Sequence, residues 1–203
     1  MSAPPKTVLE VSADEAQAIR AAVRGADLTG LGMAFRLATV ADAAALLELF
    51  QDPVVSDPIY DLPRPFTIDS VRAWIEACEA GRLRGEALLA LSWDEAGRVA
   101  SYSKVTVWPD RSAAELGGAV RADRQNRGGG AAAAARNFAW MFDTLGVRLI
   151  GLTAALDNVR SAKVIEAAGF QPMGERDSVR PDGTIRRSLY WEMTRDAWRA
   201  PWG

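Results

Sequence analysis

The sequence predicts an α/β domain built on a mixed sheet, and three observations predict it. Segments with apolar residues at i, i+3, i+4 and i+7, the mark of one buried helical face, alternate with short apolar, aromatic and β-branched runs. In chain order these give a strand, two helices, a three-strand meander, a helix, a strand, a helix and a closing hairpin. One run, Val147 to Leu156, is nearly all apolar, as a parallel strand covered on both faces should be.

The first strand is Ala34 to Thr39, and the first helix carries Ala43, Leu46, Leu47 and Phe50 on one face. Thr39 with Asp42 has the form of a capping box for it. The second helix presents Val71, Trp74, Ile75 and Cys78, with Thr67 placed to cap its start and Gly81 placed to end it. Glu86 to Trp93 and Val99 to Trp108 form a hairpin about Glu95-Ala-Gly-Arg98, and Ala114 to Arg121 completes the meander. A third helix runs from about Ala131 to Leu145, with Phe138, Met141, Phe142 and Leu145 inward and Gly146 at its end. A short helix from Val159 to Ala168 stops at Gly169. Arg176 to Arg180 and Ile185 to Met193 then pair about the turn residues Pro-Asp-Gly-Thr. Residues 1–33 form an N-terminal extension, partly helical over Ser12 to Arg24, and 34–203 form the domain.

With 203 residues the chain suits one domain with an ornament. Its 24 basic and 26 acidic residues leave a net charge of -2, which gives no field favouring nucleic acid or an acidic membrane. One cysteine and no histidine exclude an internal disulfide framework, a His-based triad, a Cys-His pair and a His-ligated metal site. The expectation is a protein with no metal. The start, Met-Ser-Ala-Pro-Pro-Lys-Thr-Val-Leu-Glu-Val, lacks a basic-then-apolar leader, and no apolar run approaches the roughly 20 residues that span a bilayer. A soluble, cytoplasmic protein is expected.

The stretch Asp123 to Arg136 sets three glycines directly against five alanines. The first N–H groups of a helix lack intrahelical acceptors and lie at the positive end of its dipole, so a glycine loop feeding a helix is a potential anion site. A nucleotidase P-loop requires Gly-Lys-Ser/Thr, and Ala131 follows the glycines here, which excludes it. Gly128, Gly130 and Ala133 fit the dinucleotide pattern G-x-G-x-x-G/A, but they follow a meander rather than a first strand. A flexible loop without ligand is the plain alternative. Alanines keep the first helical turns slim at no loss of helix propensity, which favours a ligand lying close.

The same residues, Gln125-Asn126-Arg127-Gly128-Gly129-Gly130, resemble the Q/R-x-x-G-x-G/A pyrophosphate loop of the GNAT acetyltransferases. Ala-Glu-Leu-Gly-Gly-Ala-Val before the loop, Asn158-Val-Arg-Ser161 after it and Glu-Ala-Ala-Gly-Phe beyond are similar to the branch that acetylates N-terminal amines of ribosomal proteins. The resemblance covers roughly Phe35 to Trp198. It implies a mixed, mostly antiparallel twisted sheet with a central splayed parallel pair and about four flanking helices. It implies acetyl-CoA as co-substrate, its pyrophosphate on amides near Arg127, Gly128, Gly129, Gly130 and Ala131, with Gln125 opening the loop motif. It implies a pantetheine arm along the backbone of Ala119, Val120 and Arg121 and near Asn158 and Ser161. The acceptor implied is a primary amine, of a small molecule or of a protein N-terminus, and a homodimer is left open.

For chemistry, Glu115 alternates with Gly117, Ala119 and Arg121 on one strand face and is the candidate base, against the plain reading of a salt-bridged strand carboxylate. Asn158 suits a helix N-cap whatever else it does. Ser161 shares a face with Val164, Ile165 and Ala168, so its hydroxyl needs a partner or faces the cofactor. The resemblance places a thiolate-protonating tyrosine where this chain has Ile165, so that role passes to Ser161 or to water. Cys78 reads as core, which favours direct transfer over an acyl-enzyme. The four-proline connection from Gln51 to Phe66 is a long loop, and Tyr60 and Asp61 are its substrate-side candidates. Arg180, Arg186 and Arg187 on the closing hairpin read either as selectors of acidic acceptors or as solubilising charge. Two other classes stand beside this reading: a dinucleotide-dependent oxidoreductase and a catalytically silent acyl-CoA-binding module.

Overall fold

A computed structural model describes residues 3–32, 34–125 and 129–200. Its centre is a seven-stranded sheet in the order β1-β2-β3-β4-β5-β7-β6. The strands are β1 (Phe35–Leu37), β2 (Ala87–Trp93), β3 (Val99–Trp108), β4 (Ala113–Val120), β5 (Leu149–Ala155), β6 (Gln171–Val179) and β7 (Ile185–Thr194). Every neighbouring pair is antiparallel except β4 with β5. The sheet is thus the mixed, mostly antiparallel one with a central parallel pair.

The helices are α1 (Ala13–Arg24), α2 (Ala43–Phe50), α3 (Pro53–Ser56), α4 (Ile68–Arg84), α5 (Gly130–Trp140), α6 (Val159–Ala167) and α7 (Arg195–Arg199). Their starts follow local chemistry. Ser12, Thr67 and Asn158 accept from the amides of Glu15, Ser70 and Ser161, and Asp42 accepts from the Thr39 amide at 2.8 Å. The end of α4 differs from expectation. The helix runs on through Gly81 to a left-handed Gly85, because Gly81 serves a close approach: a Cβ there would lie 2.7 Å from that of Ala87 on β2. At the other end of the sheet, α5 passes into a wider π turn over Met141–Leu145 before the left-handed Gly146. β6 starts five residues before the expected Arg176, as an exposed edge strand that apolar patterning cannot mark.

Two cores result, one on each face of the sheet. α1, α5 with its π turn, and α6 pack Ile19, Val23, Phe138, Phe142 and Ile165 against Val105, Ile150, Leu152 and Trp191. On the opposite face α2 and α4 pack Leu46, Phe50, Val71 and Ile75 against Leu89, Leu91 and Tyr102. The segment ahead of β1 is built into the first core through Ile19, Val23, Leu28 and Leu31. Ahead of α1 the chain is strapped across the sheet: the amides of Lys6 and Thr7 donate to Glu192, and Arg111 donates to the carbonyl of Pro5.

Candidate active site

The parallel pair is short. β4 and β5 share only three rungs, Ala113 with Leu149, Ala114 with Ile150 and Glu115 with Gly151. Beyond them Leu116 to Val120 stay on β3 and Leu152 to Ala155 stay on β7, so the two strands part. The opening is a cleft of about 770 Å³. Arg121 donates its amide to Ala100 of β3, and the alternation of an antiparallel ladder then turns the peptide groups of Leu116, Gly118 and Val120 toward the opening. The Gln125 side chain donates to the Val120 carbonyl at 2.8 Å, as expected of an acceptor without a strand partner. Gly118 is required here, since a Cβ would sit 2.5 Å from the carbonyl of Tyr102.

At the mouth stands the N-terminus of α5. Among the described residues the first helical bond runs from the Ala133 amide to the Gly129 carbonyl at 3.0 Å, and the first amides of a helix have no intrahelical acceptor. A Cβ on Gly129 or Gly130 would meet nothing within 4 Å. Ala131 and Ala132 are exposed, and Ala133 and Ala134 line the cleft. Arg160 of α6 bonds the carbonyl oxygen of the Gln125 side chain, which joins the two walls near the mouth. Open amides at a positive helix end, with small side chains around them, fit a phosphate group; strand peptide groups facing the cleft fit an amide-bearing arm.

Of the expected cofactor residues, Ala119, Val120, Gln125, Gly129, Gly130, Asn158 and Ser161 line this cleft. Ala131 lies in the adjoining first turn of α5. Arg121 does not join them: its amide is on β3 and its side chain pairs with Glu48 of α2. Arg127 and Gly128 lie outside the described residues. Asn158 caps α6 through the Ser161 amide at 3.1 Å, and Ile165 is buried one turn further on.

Glu115 sits where the strands part, 7% exposed, and accepts from the Thr153 hydroxyl at 3.0 Å. On the same face Asp61 pairs with Lys104 at 2.5 Å, both largely buried. Burial alone would lower the Lys104 pKa; the charge and hydrogen bond of Asp61 outweigh it and hold it above the ordinary value. Tyr60 lines the cleft beneath the guanidinium of Arg186, 4.8 Å from its ring. Tyr102 is buried with no hydrogen-bond partner for its hydroxyl among the described residues, and burial pushes its pKa well up. Lys104 and Tyr102 are absent from the sequence-derived set. The one available signal was a lone lysine inside the otherwise uncharged strand Val-Ala-Ser-Tyr-Ser-Lys-Val-Thr-Val-Trp.

Among the described residues no group of His, Cys, Asp and Glu could hold a metal, and no helix is long and apolar enough to cross a membrane. The sheet is not the doubly wound parallel one that a dinucleotide fingerprint requires, since the glycine loop follows an antiparallel meander.

A mixed sheet splayed at one parallel pair, with a helix N-terminus at the mouth of the splay, defines a GNAT-type acyltransferase fold. The chain belongs to that family: residues 33–171 match the acetyltransferase (GNAT) domain. Comparison with curated protein sequences finds no significant match. Among solved structures the chain is similar to the ribosomal-protein-S5-alanine acetyltransferase of Vibrio fischeri, at 18% identity and a TM-score of 0.67, covering 82% of this chain and 94% of that one. It is similar to Mycobacterium smegmatis RimJ, solved with a CoA disulfide, at 19% identity and a TM-score of 0.67, covering 82% and 83%. It is also similar to RimL, the ribosomal L7/L12 α-N-protein acetyltransferase, solved with coenzyme A, at 17% identity and a TM-score of 0.69, covering 82% and 97%. At these identities the likeness is one of fold.

Proposed function

We propose that the protein transfers the acetyl group of acetyl-CoA directly onto a primary amine within a ternary complex. The observation that carries this is the cleft where β4 and β5 part, with α5 at its mouth and Glu115 at its vertex. The amides of Gly129, Gly130 and Ala131, with Arg127 and Gly128 beside them, hold the pyrophosphate. Ala119, Val120, Asn158 and Ser161 border the pantetheine arm, with Gln125 between the walls. The bound co-substrate supplies an acetyl group activated as a thioester. Glu115 takes up, through water, the proton shed by the acceptor nitrogen, and Ser161 or water returns one to the departing thiolate.

An α-amine asks little of that base. With a reference pKa near 7.7 to 8, on the order of a tenth of such groups are neutral near pH 7, against less than about a thousandth for a lysine. Positioning then dominates the rate enhancement. Direct transfer is favoured because Cys78, the single cysteine, is buried on the inner face of α4 with its pKa pushed up by burial to about 11, which keeps it a thiol and a poor acyl carrier. We also infer that residues 34–203 are the transferase domain, that 1–33 are an extension docked on it, that Tyr60 and Asp61 face the acceptor, and that the enzyme works in the cytoplasm. The test is release of free thiol from acetyl-CoA on mixing with peptides bearing free N-termini. Release dependent on the amine is expected; acetyl-CoA binding without any amine-dependent release would leave only a silent binding module.

A further inference from the structure

We propose that Arg186 selects the acceptor, and that the acceptor is an amine whose molecule also carries a carboxylate. This rests on the acetyl-transfer reading. Arg186, Ser188, Tyr190 and Glu192 alternate along β7 and share one face of the sheet. Through the rungs Glu192 with Gly151 and Gly151 with Glu115, that is the face of Glu115. Arg186 therefore lines the cleft on the side of Tyr60 and Asp61, on the opposite face from α5 and α6.

Its guanidinium is held rigidly. Nη1 donates to the Pro58 carbonyl at 2.6 Å, Nε donates to Ser188 Oγ at 3.1 Å, and the group stacks on Tyr60. Nη2 makes no hydrogen bond among the described residues, and Arg186 forms no ion pair with any described carboxylate. Asp61 and Glu115 attract it from further off and Arg180 repels it, while Asp61 is already engaged by Lys104 at 2.5 Å. Burial is strong enough to lower the Arg186 pKa from its ordinary value.

A partly desolvated cation without a paired carboxylate is costly, and a guanidinium held through Nε and Nη1 keeps the N–H groups of Nη2 to donate to a carboxylate. Because three contacts hold the fork before any ligand arrives, little ordering is lost on binding. The amine end of such an acceptor would then lie toward Glu115, the carboxylate toward Arg186. Two sources share this chemistry: an acidic side chain near a peptide N-terminus, and the α-carboxylate or side chain of a free amino acid.

The experiment measures thiol release from acetyl-CoA with paired acceptors: Ser-Asp-Asp against Ser-Asn-Asn peptide amides, aspartate against asparagine for a side-chain carboxylate, and serine against serinamide for the α-carboxylate. The full chain should favour the acidic member of a pair by about tenfold or more in kcat/KM, the scale of a charge-assisted pair. In Arg186→Gln the ratio should fall to near one, and Arg186→Glu should turn it toward Ser-Lys-Lys. A preference confined to the peptides assigns the carboxylate to a side chain near the N-terminus; one confined to the amino acids assigns it to a small molecule. A ratio near one in the wild type, or an unchanged ratio in Arg186→Gln, overturns the proposal. A mere clamp between the 58–60 loop and β7 would change stability and leave the ratio intact. Melting curves check that each variant folds, with Arg186→Lys, which keeps charge without the fork, expected to retain part of the preference. Calorimetry of the same peptides in the presence of CoA separates the two readings. Acidic preference in binding without any thiol release sinks acetyl transfer and sustains the role of Arg186; release without preference does the reverse.

Discussion

The Thr153 hydroxyl donates to the Glu115 carboxylate at 3.0 Å, across β4 and β5 just past their last shared rung. That bond fixes a carboxylate at the point where the two strands separate. Replacing Glu115 by Gln keeps shape and removes the proton acceptor. The maximal rate should fall by on the order of ten- to a hundredfold, with acetyl-CoA affinity within about threefold of wild type, because a base acts in the transition state and not in cofactor binding. Steady-state kinetics across pH would check it. An unaltered rate and pH profile would remove Glu115 from the proton path.

Gly130 allows cofactor binding to be separated from folding. A Cβ there meets nothing within 4 Å, and an acid in the first turn of a helix is favoured by the dipole, so Gly130→Glu should fold as well as wild type. Its carboxylate would compete for the amides proposed to hold the pyrophosphate. At one hundred times its dissociation constant, a ligand specific to the folded state stabilises by about 2.7 kcal/mol, roughly a 5 to 10 °C rise for a domain of this size. Wild type should show that rise with acetyl-CoA and with CoA, and Gly130→Glu should lose most of it. Equal shifts in both proteins would move the phosphate site away from α5.

Local chemistry was legible in the sequence and long-range geometry was not. Ser12, Thr67 and Asn158 cap their helices because each needs only an amide three residues on. The glycine-to-alanine junction marked the start of α5, and the apolar run over Val147 to Leu156 marked β5. What could not be read was where strands part, since that depends on a parallel pairing that stops after three rungs. Arg121 illustrates the same limit: period two puts it on the face of Glu115, as the sheet does, but nothing in local spacing shows that its guanidinium pairs with Glu48 of α2, 73 residues away. Lys104 with Asp61, and Arg186 with Pro58, are 43 and 128 residues apart, so neither pairing has any signature in local spacing.

The strap ahead of α1 gives the last prediction, a dependence on acid. Glu192 is 4% exposed; burial alone would raise its pKa, but hydrogen bonds from Thr7, from Tyr190 and from the Lys6 amide outweigh that and hold it below the ordinary value. The unfolded chain therefore binds the proton more readily than the folded one. The stabilisation from Glu192 is present above a pH of about 4.5 and is lost as pH falls through the lower folded value. In Glu192→Gln the charge is lost and one acceptor oxygen becomes an N–H₂ that cannot accept from the Lys6 and Thr7 amides, which should cost about 1 to 3 kcal/mol at neutral pH. The difference in denaturation midpoint between wild type and Glu192→Gln should be largest near pH 7 and shrink below about pH 4.5. Deleting residues 1–12 takes the strap away and should shrink the neutral-pH difference as well. A difference that stays constant from pH 7 to pH 3.5 would mean that the Glu192 charge does not hold the strap.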